Sequence, residues 1–316
     1  MKVVALAGGV GGAKLAYGLA QVLPADDLTI VVNTGDDFTY LGLYICPDLD
    51  TVCYTLAGIA NPTTGWGRAD ETWNALKTMI ELGAPSWFRL GDRDLGLHLT
   101  RAHRLQMGEA LSQITQDFCN VWGIGPKILP MSNDSVPTWV YTEEGELPFQ
   151  EYFVHRRCEP RVTGFRFEGA EKAQPAPGIL PALWEAELVV INPSNPWVSV
   201  DPILSIPGIR TAIEERLVIA VSPIVGGQAI KGPAAKMYTE LGFEPSAYTV
   251  ARHYGELLDG FVLDNLDLEQ AGLVQALGIK PFVTDTIMKT PNDRERLAQE
   301  VLEFGTRLEK SPNKGG

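Results

Sequence analysis

Short apolar runs, separated by stretches with helical spacing of apolar residues, set the pattern of the chain. Six runs rich in Val, Ile and Phe, at 3–7, 29–33, 188–192, 217–222, 260–264 and 281–285, read as buried parallel strands. Between the first two, Leu15, Leu19 and Val22 fall on one helical face, and Leu297, Val301, Phe304 and Leu308 repeat the spacing near the end. This alternation predicts an α/β fold: a doubly wound, mostly parallel, Rossmann-like sheet.

Residues 66–122 interrupt the rhythm with helical stretches at 71–82, 95–107 and 111–122 and no convincing strand. They read as a helical insertion into a core made of 1–65 and 123–309. Within 136–168, apolar segments at 138–141 and 149–154 flank Glu144-Gly145 and predict a hairpin added to the sheet. Residues 310–316, rich in Gly, Lys, Ser and Pro, are expected to be a disordered tail.

Composition narrows the class. With 316 residues, 45% of them hydrophobic and 21% charged, the chain can bury one large core or two smaller ones. The opening residues hold too short an apolar run for a signal peptide, and no later run approaches a membrane span. Cys46, Cys53, Cys119 and Cys158 form no C-x-x-C pair, as expected of core thiols in a reducing cytoplasm. A net charge of −13 argues against a nucleic-acid-binding face.

In an open α/β sheet, ligands collect beyond the carboxyl ends of the strands, so the residues there carry the chemistry. The first strand ends in Gly8-Gly9-Val10-Gly11-Gly12 and opens a helix, an arrangement that turns backbone N–H groups toward an anion. The loop lacks the Ser or Thr of a P-loop after Lys14, and Lys14 occupies the third-glycine position of a dinucleotide fingerprint. That argues against a nicotinamide oxidoreductase with Asp36 on the ribose; Lys14 itself points to phosphate. Adjacent acids at Asp36-Asp37, with Asp48 and Asp50 further on, have the oxygen-only chemistry that suits Mg²⁺; the competing reading makes Asp48 or Asp50 a helix cap near Thr51. In Gly91-Asp92-Arg93-Asp94 an Arg stands between two acids before a helix, either as a capped local ion pair or as a guanidinium aimed at phosphate. His98, His103, His155 and His253 match no zinc pattern, His98 and His103 reading as helix-surface or core residues, and there is no G-x-S-x-G elbow.

Several blocks, in order, resemble the 2-phospho-L-lactate transferase family: GGVGGAKL (8–15), VVNTGDDF (31–38), CPDLDTVCYTLAG (46–58), GWGRADETW (65–73), LGDRDLGLHL (90–99), LPMSNDSVPT (129–138), NPSNPWVSVDPIL (192–204) and SPIVGGQAIKGPAAKM (222–237). The resemblance implies an enzyme of deazaflavin coenzyme F420 synthesis. Such an enzyme moves a phospho-acid (phospholactyl, phosphoenolpyruvyl or phosphoglyceryl) from a guanylylated donor to the ribityl hydroxyl of a deazariboflavin, with Mg²⁺ and release of GMP. It also implies a cytoplasmic homodimer. On that basis Gly8, Gly9, Gly11, Gly12 and Lys14 are expected to hold the guanylyl diphosphate, with Asn192, Ser194, Asn195, Gly226 and Gly227 beside the donor. Asp36, Asp37 and Asp48 are expected to hold the metal, and Asp50, Arg89 and Arg93 the acceptor, with Asp50 and Asp37 catalytic. The rival reading is a nucleotide-sugar-binding regulator of related fold, in which the acidic blocks at 47–51 and 91–95 would be idle.

Overall fold

The computed structural model describes residues 1–229 and 232–309, so the expected tail at 310–316 lies outside the described residues. The main sheet has seven strands: β1 (Val3–Ala7), β2 (Leu28–Val32), β3 (Lys127–Pro130), β4 (Leu188–Ile191), β5 (Leu217–Val221), β6 (Gly260–Asp264) and β7 (Lys280–Thr284). Their spatial order is β7-β6-β5-β4-β1-β2-β3, and every pairing is parallel. Six of the seven are the predicted apolar runs. Strand β3 was not predicted: it is four residues long, ends in Pro130 and sits at the sheet edge, where a proline costs no ladder bond.

The chain leaves β1 toward β2 and β3, then returns to the other side of β1 as β4. Strand order therefore reverses between β1 and β4, which opens a crevice above their carboxyl ends. Side chains alternate along β1: Val4 and Leu6 enter one core, Val3, Ala5 and Ala7 the other. The second core holds α1 (Gly9–Val22), part of α2 (Pro47–Leu56) and the last helix, Pro291–Thr306. Gly18 lets α1 and that last helix meet, since a Cβ there would lie 2.1 Å from the Arg294 carbonyl oxygen.

The predicted helices of the interrupting region form at α3 (Asn74–Glu81), α4 (Asp92–Gln106) and α5 (Leu111–Val121). The expected hairpin needs correction. Strands Thr138–Thr142, Gly145–Pro148 and Val162–Phe167 form a separate antiparallel sheet and do not extend the main one. The apolar segment 149–154 is not a strand: Glu151–His155 forms a helical turn that buries Tyr152 beside Val140 and Val162. No helix among the described residues is long and apolar enough to cross a membrane.

Candidate active site

A cavity of about 920 Å³ opens over the crevice, at the upper end of the roughly 300–1,000 Å³ span of small-molecule sites. Residues following β1, β2, β4, β5 and β7 reach it, and α2, the segment 64–67 and α4 complete its wall.

The glycine loop forms one side. Gly8, Gly9, Val10 and Gly11 line the cavity; the N-cap Gly8 has no side chain to cap α1, and of its first-turn amides that of Gly9 is taken by Asp48. The loop is glycine-rich for packing as well as for access. Cβ atoms at Gly8, Gly11 and Gly12 would fall 2.6 Å from the Asp48 carboxylate, 2.3 Å from the Pro193 carbonyl and 2.5 Å from the Ser194 hydroxyl, while Gly9 takes a φ of +60°. Ser194 also accepts from the Gly8 amide (3.1 Å) and donates to its carbonyl (2.8 Å). The Asn192 amide donates to the Gly12 carbonyl at 2.9 Å. Asn192 and Gly12 are thus structural neighbours of the loop and do not line the cavity; Ser194 and Asn195 do.

Lys14 lines the cavity with its ammonium on the Met288 carbonyl at 2.7 Å. That carbonyl is held in place through β6, where Asp264 accepts from the Thr286 amide (2.8 Å) and hydroxyl (2.9 Å). Gly226 and Gly227 are not at the site. Both have positive φ and make the two-residue turn between Ile224–Val225 and Gln228–Ala229, with the Gly226 amide on Asp267.

Asp48 lies directly against the loop, with Asp36 beside it. Helix α2 begins at Pro47, so Asp48 and Asp50 sit inside its first turn and neither is the cap. Asp48 accepts from the Gly9 amide at 2.6 Å and from the Asn33 amide at 2.9 Å; the same Asn33 nitrogen reaches Asp36 at 3.2 Å. Burial pushes the Asp36 carboxyl well above the usual carboxylate range, with the Asp48 and Asp37 charges adding to the effect. Burial also raises Asp48, to about 6, against the stabilising Asn33 and Gly9 donors. Asp37 departs from expectation. Its buried carboxylate lies among Cys46, Tyr44 and Arg101, makes no close hydrogen bond and does not line the cavity.

The described residues contain no group of three metal-ligating side chains. The pair Asp36 and Asp48, joined by one amide at the mouth of an anion cradle, nonetheless fits Mg²⁺. That ion is commonly held by one or two carboxylates together with substrate phosphates. Two buried acids beside a phosphate also need a cation to be ionised together.

Asp50 lines the cavity and is held by a residue that sequence reasoning missed. Arg101, 2% exposed on α4, forks onto both Asp50 oxygens, one of them at 3.0 Å. His98, one turn earlier, lies with Nδ1 3.4 Å from that guanidinium; burial lowers its pKa to about 4 and leaves the ring neutral. Neither residue stands in a recognisable motif with Asp50, 51 residues away from Arg101, so only the fold pairs them.

In the segment 91–95 the acids divide. Asp92 caps α3 through the Ala75 and Asn74 amides and the Thr72 hydroxyl, whose donation pulls it down to about 2. Asp94 lines the cavity, accepts from the Tyr54 hydroxyl at 2.6 Å and is raised to about 6 by burial. Arg93 is exposed and off the cavity, its amide donating to Glu71; Arg89 lines the rim, stacked 4.4 Å from the Trp73 ring centre. Trp66, Trp87, Phe88, Phe149 and Phe153 also line the cavity.

Two outcomes check this account. Arg101→Met leaves Asp50 buried without its counter-charge and lowers the unfolding free energy by about 3–5 kcal/mol, a loss that Asp50→Leu in the same chain largely removes, both read from urea midpoints. The second concerns Asp94. With its pKa raised, the folded state holds more protons than the unfolded one between the ordinary 3.8 and about 6, so ionisation of this group removes stability as pH rises through that window. Asp94→Asn therefore raises the melting temperature above pH 6, with a gain of at most about 3 kcal/mol, and has no stabilising effect below pH 4.

The comparisons with known proteins agree with this architecture. The chain is similar to a phosphoenolpyruvate transferase of Kitasatospora aureofaciens, 46% identical with 96% of this chain and 97% of that one covered. A phosphoenolpyruvate transferase of Streptomyces griseus subsp. griseus is 44% identical, with 96% and 98% covered. A 2-phospho-L-lactate transferase of Methanosarcina mazei is 37% identical, with 95% and 99% covered. A solved structure of a UPF0052-family protein from Bacillus halodurans shares the fold, with a TM-score of 0.62 at 15% identity over 95% of this chain and 98% of that one. The model of the family described as 2-phospho-L-lactate transferase CofD matches residues 3–301, and the chain belongs to that family.

Proposed function

We propose that the chain transfers a phosphoenolpyruvyl group from a guanylylated donor to the terminal ribityl hydroxyl of a deazariboflavin, releasing GMP, in synthesis of coenzyme F420. The observation that carries this reading is the make-up of the cavity. One cavity brings together a glycine loop with Lys14 and the Asp36–Asp48 carboxylates, and also Asp50, Asp94 and five aromatic side chains. A transferase joining a diphosphate to a flat aromatic alcohol needs both. A nucleotide-binding regulator has no use for the second. The phosphoenolpyruvyl donor is favoured by the names of the relatives at 44% and 46% identity.

In this reading the first-turn amides of α1 and Lys14 hold the diphosphate, and Asp36 and Asp48 would hold Mg²⁺. When bound, the metal neutralises phosphate charge. The ribityl oxygen forms a bond to the phosphorus that carries the acid, and the bond from that phosphorus to the GMP oxygen breaks. Asp50, immobilised by Arg101, is suited to orienting the hydroxyl, since both of its oxygens are already engaged. Asp94, at about 6, is the cavity carboxylate better matched to taking the hydroxyl proton near neutral pH.

Incubation with deazariboflavin and guanylylated phosphoenolpyruvate, read by mass, is expected to give GMP and the phosphoenolpyruvyl deazaflavin in equal amounts. Absence of GMP release with this donor and with its phospholactyl counterpart sinks the reading. Asp94→Asn is expected to lower kcat by about 10²–10⁴-fold with little change in donor KM. An unchanged kcat assigns the proton to another group.

A further inference from the structure

A second, smaller cavity of about 250 Å³ adjoins the first on the far side of the glycine loop, sharing Val10, Lys14 and Lys289 with it. Its walls come from α1, the segment 55–65 and the start of the last helix. Three of its lining residues are cations, Lys14, Lys289 and Arg294, and none is an acid. In a chain with a net charge of −13 such a cluster does not arise from average composition.

Arg294 makes the cleft more than a charged surface. Its guanidinium stacks over Tyr17 at 5.2 Å from the ring centre, and its Nε is buried without a hydrogen-bond partner. No ion pair to Arg294 or Lys289 exists among the described residues. Asp293, the acid next to Arg294, is turned away: it accepts from the Lys289 and Thr290 amides at 3.0 and 2.7 Å to cap the last helix. Burial lowers the proton affinity of Arg294, so the unaccompanied cation sits there at a cost. A planar guanidinium held flat by an aromatic ring, with its donors unspent, is the arrangement that receives a carboxylate or phosphate in bidentate fashion.

Resting on the donor reading above, we propose that the Arg294–Lys289–Lys14 cleft is a separate anion subsite that takes the carboxylate of the phospho-acid, next to the diphosphate held by the glycine loop. Lys14, lining both cavities, spans the two anionic ends of the donor. A guanine base is a poorer fit, because its N–H donors need acceptors and the Asn61 side-chain oxygen already takes the Thr63 amide at 2.9 Å. The cleft then selects donors by an acid group that GDP and GMP lack.

The test compares binding of GDP with binding of guanylylated 2-phospholactate, a donor that carries the additional carboxylate, by calorimetry with Mg²⁺ present. The wild-type chain is expected to bind the donor about tenfold or more tighter than GDP. Arg294→Met is expected to reduce that preference to less than about threefold while leaving GDP affinity unchanged, which also reports an intact fold. Arg294→Lys, keeping charge without the fork, should fall between. The proposal is overturned if Arg294→Met weakens GDP and donor equally, since the cleft then holds the guanylyl end, or if the preference survives unchanged. A wild-type chain that binds both ligands but transfers nothing to deazariboflavin defeats the transferase reading and leaves the subsite standing.

Discussion

The Asp48 carboxylate is the point at which the two halves of the site are tied together. One oxygen takes the Gly9 amide at the start of α1, and the other takes the Asn33 amide at the end of β2. The close approach that these bonds require excludes a side chain at Gly8. The same Asn33 nitrogen reaches Asp36, so two carboxylates share a donor in a buried place. Each raises the cost of ionising the other, and burial raises it further. Such an arrangement weakens the fold of the free protein.

The part of the cavity around Asp50 depends on a different kind of tie. Arg101, Asp94 and His98 all come from α4, in the stretch that breaks the strand-helix rhythm; Asp94 and His98 line the cavity, and Arg101 reaches it only through Asp50. Arg101 neutralises Asp50 and fixes it; Tyr54, one turn after Asp50 on α2, holds Asp94. Helices α2 and α4 are thereby joined by an ion pair and a hydroxyl–carboxylate bond at the cavity itself. A buried pair of this kind contributes little net stability over apolar residues of the same size, but removing one partner is expensive. Its worth here is positional: the carboxylate cannot rotate away.

The sheet was legible because parallel strands covered on both faces read as continuous apolar runs, and six of seven announced themselves that way. Strand β3 escaped because four residues ending in proline carry too little signal. The segment 149–154 differs from expectation because a six-residue apolar-rich run is too short for its period to separate a strand from a helical turn, and the buried Phe149 and Tyr152, three residues apart, follow the helical spacing. At the site, the loop and the acids were legible as residue types at strand ends. Their partners were not. Arg101 and Asn33 act through contacts that no local pattern encodes. Gly226-Gly227, Asn192 and Arg93 looked like ligand groups because turns, braces and exposed helix starts use the same residues as ligand cradles.

Charge distribution links these observations. A chain carrying −13 that binds a polyanion must place positive potential where the substrate enters. Here it comes from the amides of α1, from Lys14 anchored on Met288, and from the cleft of Lys289 and Arg294. The negative pair Asp36 and Asp48 sits against that potential, and the Gly9 amide that Asp48 occupies is one of the donors an anion would use. A phosphate approaching Gly9 therefore competes with Asp48 for the same N–H. A cation held by Asp36 and Asp48 would relieve that competition by giving the carboxylate another partner. The glycine loop already has one of its amides, that of Gly9, occupied by the Asp48 carboxylate, so the loop and the acids act as one unit.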